Sequence, residues 1–298
     1  MNEITFKSGF ISVVGKPNVG KSTLVNALVG QKIAAVTPRP QTTRKRQMGI
    51  LTIEKAQVIF IDTPGVHQAR HKLGEAMNQE ALDTLKNCDL VIFIVDASQD
   101  PDIEDCQLAE MLVKNRRTVP ILQILNKIDL ATSERLASNS VEYSKILPNA
   151  VQLLVSAQRG DGLKELLEAI ISRIREGDLF FPEGQVTDLY EREIAADLIR
   201  ESALIHLRDE VPHGIAVRID QFIERQEKGA YIEATLFVEK ESHKPILIGK
   251  NGEMLKKIGS AARREIEKTT DRKIYLDLKV KVRKNWRDDE KVLRSFGF

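Results

Sequence analysis

A glycine-rich loop that ends in lysine and serine is the clearest chemical feature of this 298-residue sequence. Residues 15–22 read Gly-Lys-Pro-Asn-Val-Gly-Lys-Ser, between a strand-like apolar run and a helix-like run. A loop in this context surrounds a phosphate with successive backbone N–H groups at the N-terminus of the helix. We expect Gly15 and Gly20 to permit the tight turn. Lys21 is expected to reach the β- and γ-phosphates, and the Ser22 hydroxyl is expected to face Mg²⁺.

An acidic residue follows the next strand-like run, residues 58–61, in the motif Asp62-Thr63-Pro64-Gly65. A carboxylate at the carboxyl end of a strand can hold Mg²⁺ through water, and a glycine amide there can contact a γ-phosphate. We therefore predict that Asp62 lies near the metal and that Gly65 lies near the γ-phosphate.

A polar segment that contains prolines, residues 37–46, separates these two motifs. Segments of this kind become ordered around a γ-phosphate and its metal, and so they act as switches. We predict that Thr43 in this segment ligates Mg²⁺ together with Ser22. Thr42 is the alternative ligand.

Two further apolar runs end in residues that suit a guanine base. One of them, residues 121–125, leads into Asn126-Lys127-Ile128-Asp129, and a later run leads into Ser156-Ala157. A carboxylate such as that of Asp129 can accept hydrogen bonds from N1–H and N2–H of guanine, a pair of donors that adenine lacks. The backbone at Ser156 and Ala157 could meet guanine O6. Because the carboxyl ends of parallel strands meet at one edge of a sheet, the motifs together predict a guanine-nucleotide-binding domain.

The predicted nucleotide contacts fall in four short segments of the chain. They are Gly15, Lys16, Pro17, Asn18, Val19, Gly20, Lys21, Ser22, Thr23, Asp62, Thr63, Pro64, Gly65, Val66, Asn126, Lys127, Asp129, Ser156 and Ala157. Lys21, Thr43 and Gly65 are expected to act in hydrolysis. Ser22 and Thr43 are expected to ligate the metal directly, and Asp62 to hold it through water.

The residue after Gly65 departs from the pattern of Ras, in which a glutamine orients the attacking water. This chain has Val66 at that position. Valine cannot polarise water, so we expect slow intrinsic hydrolysis. Three sources of help stay open: a backbone carbonyl, a monovalent cation held near Asn18, or an RNA partner.

The composition is typical of a soluble globular protein, with 30% charged and 42% hydrophobic residues and enough length for two domains. We find no apolar run as long as a membrane span, and the first seven residues lack the apolar stretch of a signal peptide. The two cysteines, Cys88 and Cys106, have no metal-binding or Cys-x-x-Cys spacing. They are expected to be reduced thiols in a cytosolic protein.

Strand and helix patterns alternate from Phe10 to about residue 175, which predicts a doubly wound parallel sheet. Glycine and proline then break the pattern at residues 176–184. We therefore predict a nucleotide-binding domain at residues 1–177, a linker at residues 178–190, and a smaller α+β domain at residues 191–298.

The second predicted domain is basic. Residues 244–287 contain 14 Lys or Arg against 5 Asp or Glu, although the formal net charge of the whole chain is only +2. A nearly neutral protein with one strongly basic end suggests a polyanionic partner for that end. A solvated, lysine-rich surface is the alternative interpretation.

A Gly-x-x-Gly turn lies inside this basic region, between two helix-like segments. The predicted order of elements is α-β-β-α-α-β, which is the second topological type of KH domain. Such a turn lets a nucleic-acid backbone approach closely, so we expect single-stranded RNA with about four nucleotides across the cleft. The predicted RNA contacts are Ile248, Gly249, Lys250, Asn251, Gly252, Lys256 and Lys257.

Other residues give weaker signals. Trp286 follows the last strand, where it could stack on a base or anchor the strand in its own domain, and we favour the anchor. The amphipathic helix predicted from Glu191 is expected to bury Ile194, Leu198, Ile199 and Ile205. The five histidines are scattered and offer no metal geometry.

These motifs together resemble the Era family of bacterial GTPases over essentially the whole chain. The likeness rests on the four nucleotide motifs, on Pro-Gln-Thr-Thr-Arg at residues 40–44, and on Ile-Leu-Ile-Gly-Lys-Asn-Gly at residues 246–252. The resemblance implies a GTPase that uses GTP, GDP and Mg²⁺ and assists assembly of the small ribosomal subunit. It also implies binding near the 3′ end of small-subunit ribosomal RNA. A cytoplasmic location, peripheral contact with the inner face of the cell membrane, no transmembrane segment and a monomer are further expectations.

Two rival functions stay open. The chain could be an RNA-binding protein whose nucleotide site is structural or vestigial, but intact Lys21, Ser22, Asp62, Asn126 and Asp129 argue against decay of that site. It could also be a GTPase of translation or transport. The KH-like domain, without a membrane span, argues against transport.

Overall fold

The computed structural model describes residues 5–37, 39, 42–115, 118–225 and 229–298. The chain forms two compact units. The first comprises Met1–Ala34, Thr43–Gln68 and Met77–Asp188, and the second comprises Ala35–Thr42, Ala69–Ala76 and Leu189–Phe298. Residues 38, 40 and 41 of the predicted switch segment lie outside the described residues, as do residues 1–4 and residues 227 and 228 of a predicted turn.

The first unit is built on one sheet with the strand order β2-β3-β1-β4-β5-β6, and β7 pairs with β1. The strands are β1 (Lys7–Val14), β2 (Gln47–Ile53), β3 (Ala56–Asp62), β4 (Leu90–Asp96), β5 (Ile121–Asn126), β6 (Val151–Leu154) and β7 (Arg175–Glu176). The helices are α1 (Lys21–Val29), α2 (Lys72–Thr84), α3 (Ile103–Asn115), α4 (Ser133–Ile146) and α5 (Leu163–Arg173). The first residues of α2 are grouped with the second unit.

Apolar side chains pack on both faces of this sheet. On one face, Val13 of β1 joins a core cluster with Leu24 of α1 and Leu166 of α5. On the other face, Val14 of β1 joins a cluster with Leu108 of α3. Because neighbouring side chains of a strand point to opposite faces, both are buried here, and the strands read as continuous apolar runs. The doubly wound α/β architecture is as predicted.

The sheet is not wholly parallel, which corrects the prediction. β2 pairs antiparallel with β3, from Gln47 opposite Asp62 to Ile53 opposite Ala56. Only residues 54 and 55 separate the two strands, and a connection this short cannot cross over to make a parallel pair. β2 was not predicted, because Gly49 interrupts its apolar pattern.

The second unit has the predicted order α-β-β-α-α-β. Its three-stranded sheet has the order β10-β9-β8, with β8 and β9 antiparallel and β9 and β10 parallel. Its elements are α6 (Glu191–His206), β8 (Ala216–Arg225), β9 (Gly229–Val238), α7 (His243–Ile248), α8 (Glu253–Thr270), β10 (Lys273–Val282) and α9 (Glu290–Ser295). The short helix α9 was not predicted.

One predicted core residue of α6 is wrong. Ile205 is 54% exposed, whereas Ala195, Leu198, Ile199 and Ala203 are buried. Ile205 stands seven residues after Leu198, on the same side of the helix, but it lies in the last turn of α6, one residue before the helix ends at His206.

Trp286 is an internal anchor of the second unit. Its side chain is fully buried, and its Nε1–H donates to the Gly214 carbonyl at 2.9 Å. Its ring meets the edge of Phe296 at a centroid distance of 5.5 Å. Because the indole is enclosed, stacking on a base is excluded for this residue.

Both cysteines are free thiols. Cys88 is buried, and burial raises the pKa of its thiol to about 11, so it stays protonated and unreactive at neutral pH. Cys106 is exposed. No helix among the described residues combines the length and the apolar character needed to cross a bilayer.

Replacing Trp286 with Ala should destabilise the second unit by about 3–5 kcal/mol, because a large buried ring leaves a cavity and the Gly214 carbonyl loses its donor. Urea unfolding followed by far-UV circular dichroism measures this change. Tyr190→Ala is a suitable control, since Tyr190 is 79% exposed. A Trp286→Ala variant as stable as that control would contradict the anchoring role.

Candidate nucleotide and RNA sites

The phosphate-binding loop has a shape that only glycine allows at two positions. A Cβ at Gly15 would lie 2.4 Å from the Ile94 carbonyl oxygen, inside van der Waals contact. Gly20 has φ of 103°, and a Cβ there would lie 2.3 Å from Asn126 Nδ2. The loop therefore packs against the ends of β4 and β5, and α1 begins directly after it at Lys21.

The ammonium group of Lys21 points back into this loop. Its Nζ donates to the carbonyl oxygens of Gly15 at 3.1 Å and Lys16 at 2.8 Å. Burial lowers the pKa of Lys21 to about 8, and the charge of Asp62 opposes that shift. Of the other loop residues, Val19 is buried, Lys16, Pro17 and Thr23 are half-buried, and Asn18 is exposed with φ of 65°.

Ser22, Thr43 and Asp62 lie together beside the loop. Ser22 Oγ donates to Asp62 Oδ2 at 2.6 Å and lies 2.8 Å from Thr43 Oγ1. Thr43 Oγ1 also donates to Asp62 Oδ2 at 3.3 Å. Thr42 instead donates to the Arg39 carbonyl at 2.7 Å, within the second unit. The geometry thus favours Thr43 over Thr42 as the residue that faces the metal.

The donor set at Asp62 fits Mg²⁺. Asp62 is fully buried, and its Oδ1 has no hydrogen-bond partner among the described residues. Burial raises the pKa of Asp62 to about 6, although Lys21, Ser22 and Thr43 oppose the shift. A carboxylate and two hydroxyls supply the hard oxygen atoms that Mg²⁺ prefers, and a cation would satisfy the orphaned oxygen.

The segment after Asp62 is hydrogen-bonded to β1 and to the phosphate-binding loop. Thr63 Oγ1 donates to the Val13 carbonyl at 2.8 Å, and Val66 N–H donates to the Gly15 carbonyl at 3.3 Å. A Cβ at Gly65 would lie 2.7 Å from Pro17 N, so only glycine fits there. The Val66 side chain packs against the apolar cluster of α3 and α4, and Pro64 is buried. No side chain in this segment takes the place of the missing glutamine.

Asn126 joins two of the predicted segments. Its Nδ2 donates to the Val19 carbonyl at 2.8 Å, and its Oδ1 accepts from Ala157 N–H at 2.9 Å. Asn126 is 2% exposed, so both bonds are shielded from water. The segment at Ser156 and Ala157 also positions Asp129, because Ser156 Oγ donates to Asp129 Oδ1 at 2.6 Å.

Sequence reasoning missed three acidic residues that support this site. Lys127 has φ of 63°, and its Nζ pairs with Asp96 Oδ2 at 2.6 Å. Lys16 Nζ pairs with Asp102 at 2.6 Å and with Asp105 at 2.8 Å. Asp96 had a readable signal, since it ends an apolar strand as Asp62 does. Asp102 and Asp105 lie in and near the start of α3, and nothing local in the sequence connects them to Lys16.

The Gly-x-x-Gly turn of the second unit is exposed and preformed. Gly249, Asn251 and Gly252 all have positive φ, at 75°, 52° and 80°. A Cβ at Gly249 would lie 2.7 Å from Met254 N, whereas the position of Gly252 is open. Lys250, Asn251, Lys256 and Lys257 are exposed, and Ile248 is half-buried. The predicted RNA contacts therefore lie in one stretch that ends in the first two turns of α8.

Two known domain families match this chain. The family described as 50S ribosome-binding GTPase matches residues 10–127, and the KH domain family matches residues 210–287. With the phosphate loop, the cluster of Ser22, Thr43 and Asp62, and the Gly-x-x-Gly turn, these matches define a P-loop GTPase joined to a KH domain.

Relatives over the full length are more specific. GTPase Era of Ruminiclostridium cellulolyticum is 46% identical over 295 residues, which cover 99% of this chain and 98% of that protein. GTPase Era of Geobacter metallireducens is 44% identical over the whole of both chains. The chain belongs to the Era family of GTPases.

Solved structures of the family share the fold. Era in complex with MgGDPNP and nucleotides 1506–1542 of 16S ribosomal RNA has a TM-score of 0.94 at 37% identity. A variant of Aquifex aeolicus Era bound to GDP·AlF4⁻ has a TM-score of 0.93 at 37% identity. Each of the two alignments covers 98% of this chain and 99% of the solved chain.

Replacing Asp62 with Asn should change how the stability of the ligand-free protein depends on pH. The folded-state pKa of Asp62, about 6, lies above the ordinary value of 3.8. Its contribution to stability is thus present below pH about 4 and is lost as the pH rises through about 6. Relative to the variant, wild type should lose about 2–3 kcal/mol of unfolding free energy between pH about 4 and about 7.

Urea titrations at several pH values, with a chelator and without nucleotide, measure this difference. Asp100→Asn is the matched control, because it makes the same substitution at an exposed carboxylate. A difference between wild type and Asp62→Asn that stays constant across this pH range would contradict the prediction.

Proposed function

We propose that this chain binds GTP with Mg²⁺ and hydrolyses it as a switch, and that its KH domain binds single-stranded small-subunit ribosomal RNA near the 3′ end. The observation that carries the GTPase half is the contact of Ser22, Thr43 and Asp62 beside the buried Lys21. The bound GDP·AlF4⁻ of the Aquifex aeolicus relative supports hydrolysis.

Each residue has a definite task in this proposal. Lys21 neutralises the β- and γ-phosphates, and the backbone N–H groups of the loop hold their oxygens. Ser22 and Thr43 ligate Mg²⁺, which offsets negative charge on the phosphates, and Asp62 holds it through water. Thr43 arrives with a switch segment, so its position can report the state of the nucleotide.

Hydrolysis in this proposal is slow until another group orients the water. Gly65 has no side chain, and the half-buried Val66 side chain packs against an apolar cluster, so neither residue offers a group for proton transfer. A backbone carbonyl, a monovalent cation near the exposed Asn18, and the RNA partner stay as the candidates. The buried, fully formed contacts of Lys21 and Asn126 argue against a vestigial nucleotide site.

The RNA half of the proposal rests on the exposed Gly-x-x-Gly turn. Lys250 and Asn251 occupy its variable positions, with Lys256 and Lys257 beyond them. The relative crystallised with nucleotides 1506–1542 of 16S ribosomal RNA supports this RNA class. We propose that the GTPase cycle assists assembly of the small ribosomal subunit through this contact.

The organisation and location of the chain complete the proposal. We propose a GTPase domain at residues 1–177, a linker at residues 178–190 and a KH domain at residues 191–298. We also propose that the protein acts as a monomer in the cytoplasm. Peripheral contact with the inner face of the cell membrane stays a prediction from the family resemblance.

Replacing Asp129 with Asn should shift the preference from guanine to xanthine nucleotides. The carboxylate accepts from the exocyclic amine of guanine, whereas an amide can donate to the oxygen that xanthine carries there. The affinity for GTP should fall about tenfold or more. Competition by GTP, XTP and ATP against a fluorescent guanine nucleotide measures the change.

Ser156→Ala is the control for this experiment, because it removes the hydrogen bond to Asp129 and keeps the carboxylate. It should weaken binding without changing the preferred base. If Asp129→Asn still prefers GTP over XTP, then the segment 126–129 does not read the base.

Replacing Lys250 and Asn251 together with Asp should abolish RNA binding and leave GTP affinity unchanged. No glycine is lost, and Asp tolerates the left-handed conformation of residue 251. Two negative charges would then face the phosphates at their closest approach. Wild-type affinity should fall as salt rises, because cationic contacts release counterions from RNA.

Lys284 and Asn285 provide a matched control, since they are also exposed and Asn285 has the same φ of 52°. Their double replacement with Asp makes an identical charge change outside the turn. Titrations of a single-stranded 16S ribosomal RNA fragment at two salt concentrations compare the variants. If both double variants lose the same amount of RNA affinity, then the turn is only one part of a diffuse basic surface and the prediction is contradicted.

A further inference from the structure

The sheet of the second unit has one face that the helices α6 and α8 do not cover. The inward side chains of β9, such as Ile232 and Leu236, pack with these helices. Side chains alternate along a strand, so the intervening residues point to the opposite face, which we call the outer face. Its members on the three strands are Arg218, Gln221, Ile223 and Arg225; Tyr231, Glu233, Thr235 and Phe237; and Lys273, Tyr275, Asp277, Lys279 and Lys281.

Within the described part of the chain, one end of the outer face is covered and the other is open. Phe237 is 7% exposed, because the ring of Phe296 packs on it at a centroid distance of 4.9 Å. At the other end, Tyr275 is 64% exposed. The chain therefore hides one aromatic residue of this face and presents another to solvent.

Tyr275 is held in place from within the sheet. Its ring stacks on that of Tyr231, directly opposite it in the register, at 5.6 Å and an interplanar angle of 23°. The guanidinium of Arg225 lies 5.4 Å from the Tyr231 ring centroid. A ring that is already oriented loses little conformational freedom when a ligand stacks on it.

The charges of the outer face favour an anionic ligand. All five cations of the outer face, Arg218, Arg225, Lys273, Lys279 and Lys281, are exposed. Its carboxylates Glu233 and Asp277 are half-buried, as is Asp220 at the register shift of β8. Lys279 pairs with Glu233 at 2.5 Å, and Arg218 pairs with Asp220 at 2.8 Å. The negative charges of these two carboxylates are therefore partly neutralised. A polyanion approaching this face meets the cations first.

We propose that the open end of the outer face is a second RNA site, where an unpaired base stacks on Tyr275 and the adjoining phosphates meet Arg225 and Lys273. The inference rests on the proposed RNA binding by this unit. Stacking suits any base, since every base has a π-face. Lys273, two residues before Tyr275 on β10, and Arg225, at the end of β8, can contact the phosphates on either side of that base. This site lies outside the Gly249–Gly252 turn, so it is expected to engage only RNA longer than the turn itself accommodates.

Two RNA lengths separate the sites. A tetranucleotide fills a KH cleft of about four nucleotides, whereas a single strand of about twelve can reach further. With the full-length protein, Tyr275→Ala should lower the affinity for the longer RNA about tenfold and leave the tetranucleotide unaffected. Tyr275→Phe should retain wild-type affinity, because stacking needs the ring and not the hydroxyl.

The salt dependence and a control variant complete the design. Tyr275→Ala should leave the slope of affinity against salt unchanged, while Lys273→Ala should reduce it by about one. Tyr190→Ala removes another exposed tyrosine of the second unit and should change nothing. Ultraviolet crosslinking of the wild-type complex, which needs no variant to fold, should attach the longer RNA to the peptide that contains Tyr275.

The outcomes distinguish this proposal from the proposed function. If wild type binds neither RNA, the RNA-binding function itself fails. If the Lys250 and Asn251 double variant loses binding while Tyr275→Ala keeps full affinity for the longer RNA, the second site is overturned and the outer face becomes a candidate protein contact. Equal losses in Tyr275→Phe and Tyr275→Ala would also overturn stacking, as would a crosslink map without Tyr275.

Discussion

The side-chain amide of Asn126 is the contact on which the arrangement of the nucleotide-facing loops depends. It donates to the phosphate-binding loop at the Val19 carbonyl and accepts from the Ala157 N–H, both in the interior. A residue that could only accept, such as aspartate, would leave one of these two groups unpaired. Because unpaired buried polar groups are costly, the amide fixes both loops against the end of β5.

Burial of opposite charges then makes the loops responsive to a ligand. Lys21 and Asp62 are both buried. Burial favours the neutral form of each group, so it lowers the pKa of Lys21 and raises the pKa of Asp62. Ser22, Thr43 and the loop carbonyls offset only part of that cost, since Asp62 Oδ1 keeps no partner among the described residues. In a site with little water, phosphate and Mg²⁺ interact strongly with these charges. The burial that is costly for Lys21 and Asp62 thus favours the proposed ligand.

Local patterns in the sequence were enough to predict the nucleotide-binding motifs. They were not enough to predict the residues and the strand that hold these motifs in place. Gly15, Asp62 and Asn126 each stand at a strand end, so short patterns predicted where they lie. Asp105 reaches Lys16 across many residues, and β2 depends on a hairpin whose apolar pattern is broken. The sequence left two interpretations of Trp286, because a single aromatic residue does not show whether its side chain is buried.

The two glycine turns use the same backbone physics for different ligands. Gly20 and Gly252 both take positive φ directly before a helix, α1 in the first unit and α8 in the second. The lysine at the first turn, Lys21, is buried, and so the turn can enclose one small anion. Lys250 at the second turn is exposed, which suits a polymer that passes across it and gives contacts that salt weakens. Since such a turn discriminates little between sequences, selectivity for a particular RNA must come from side chains that contact base edges.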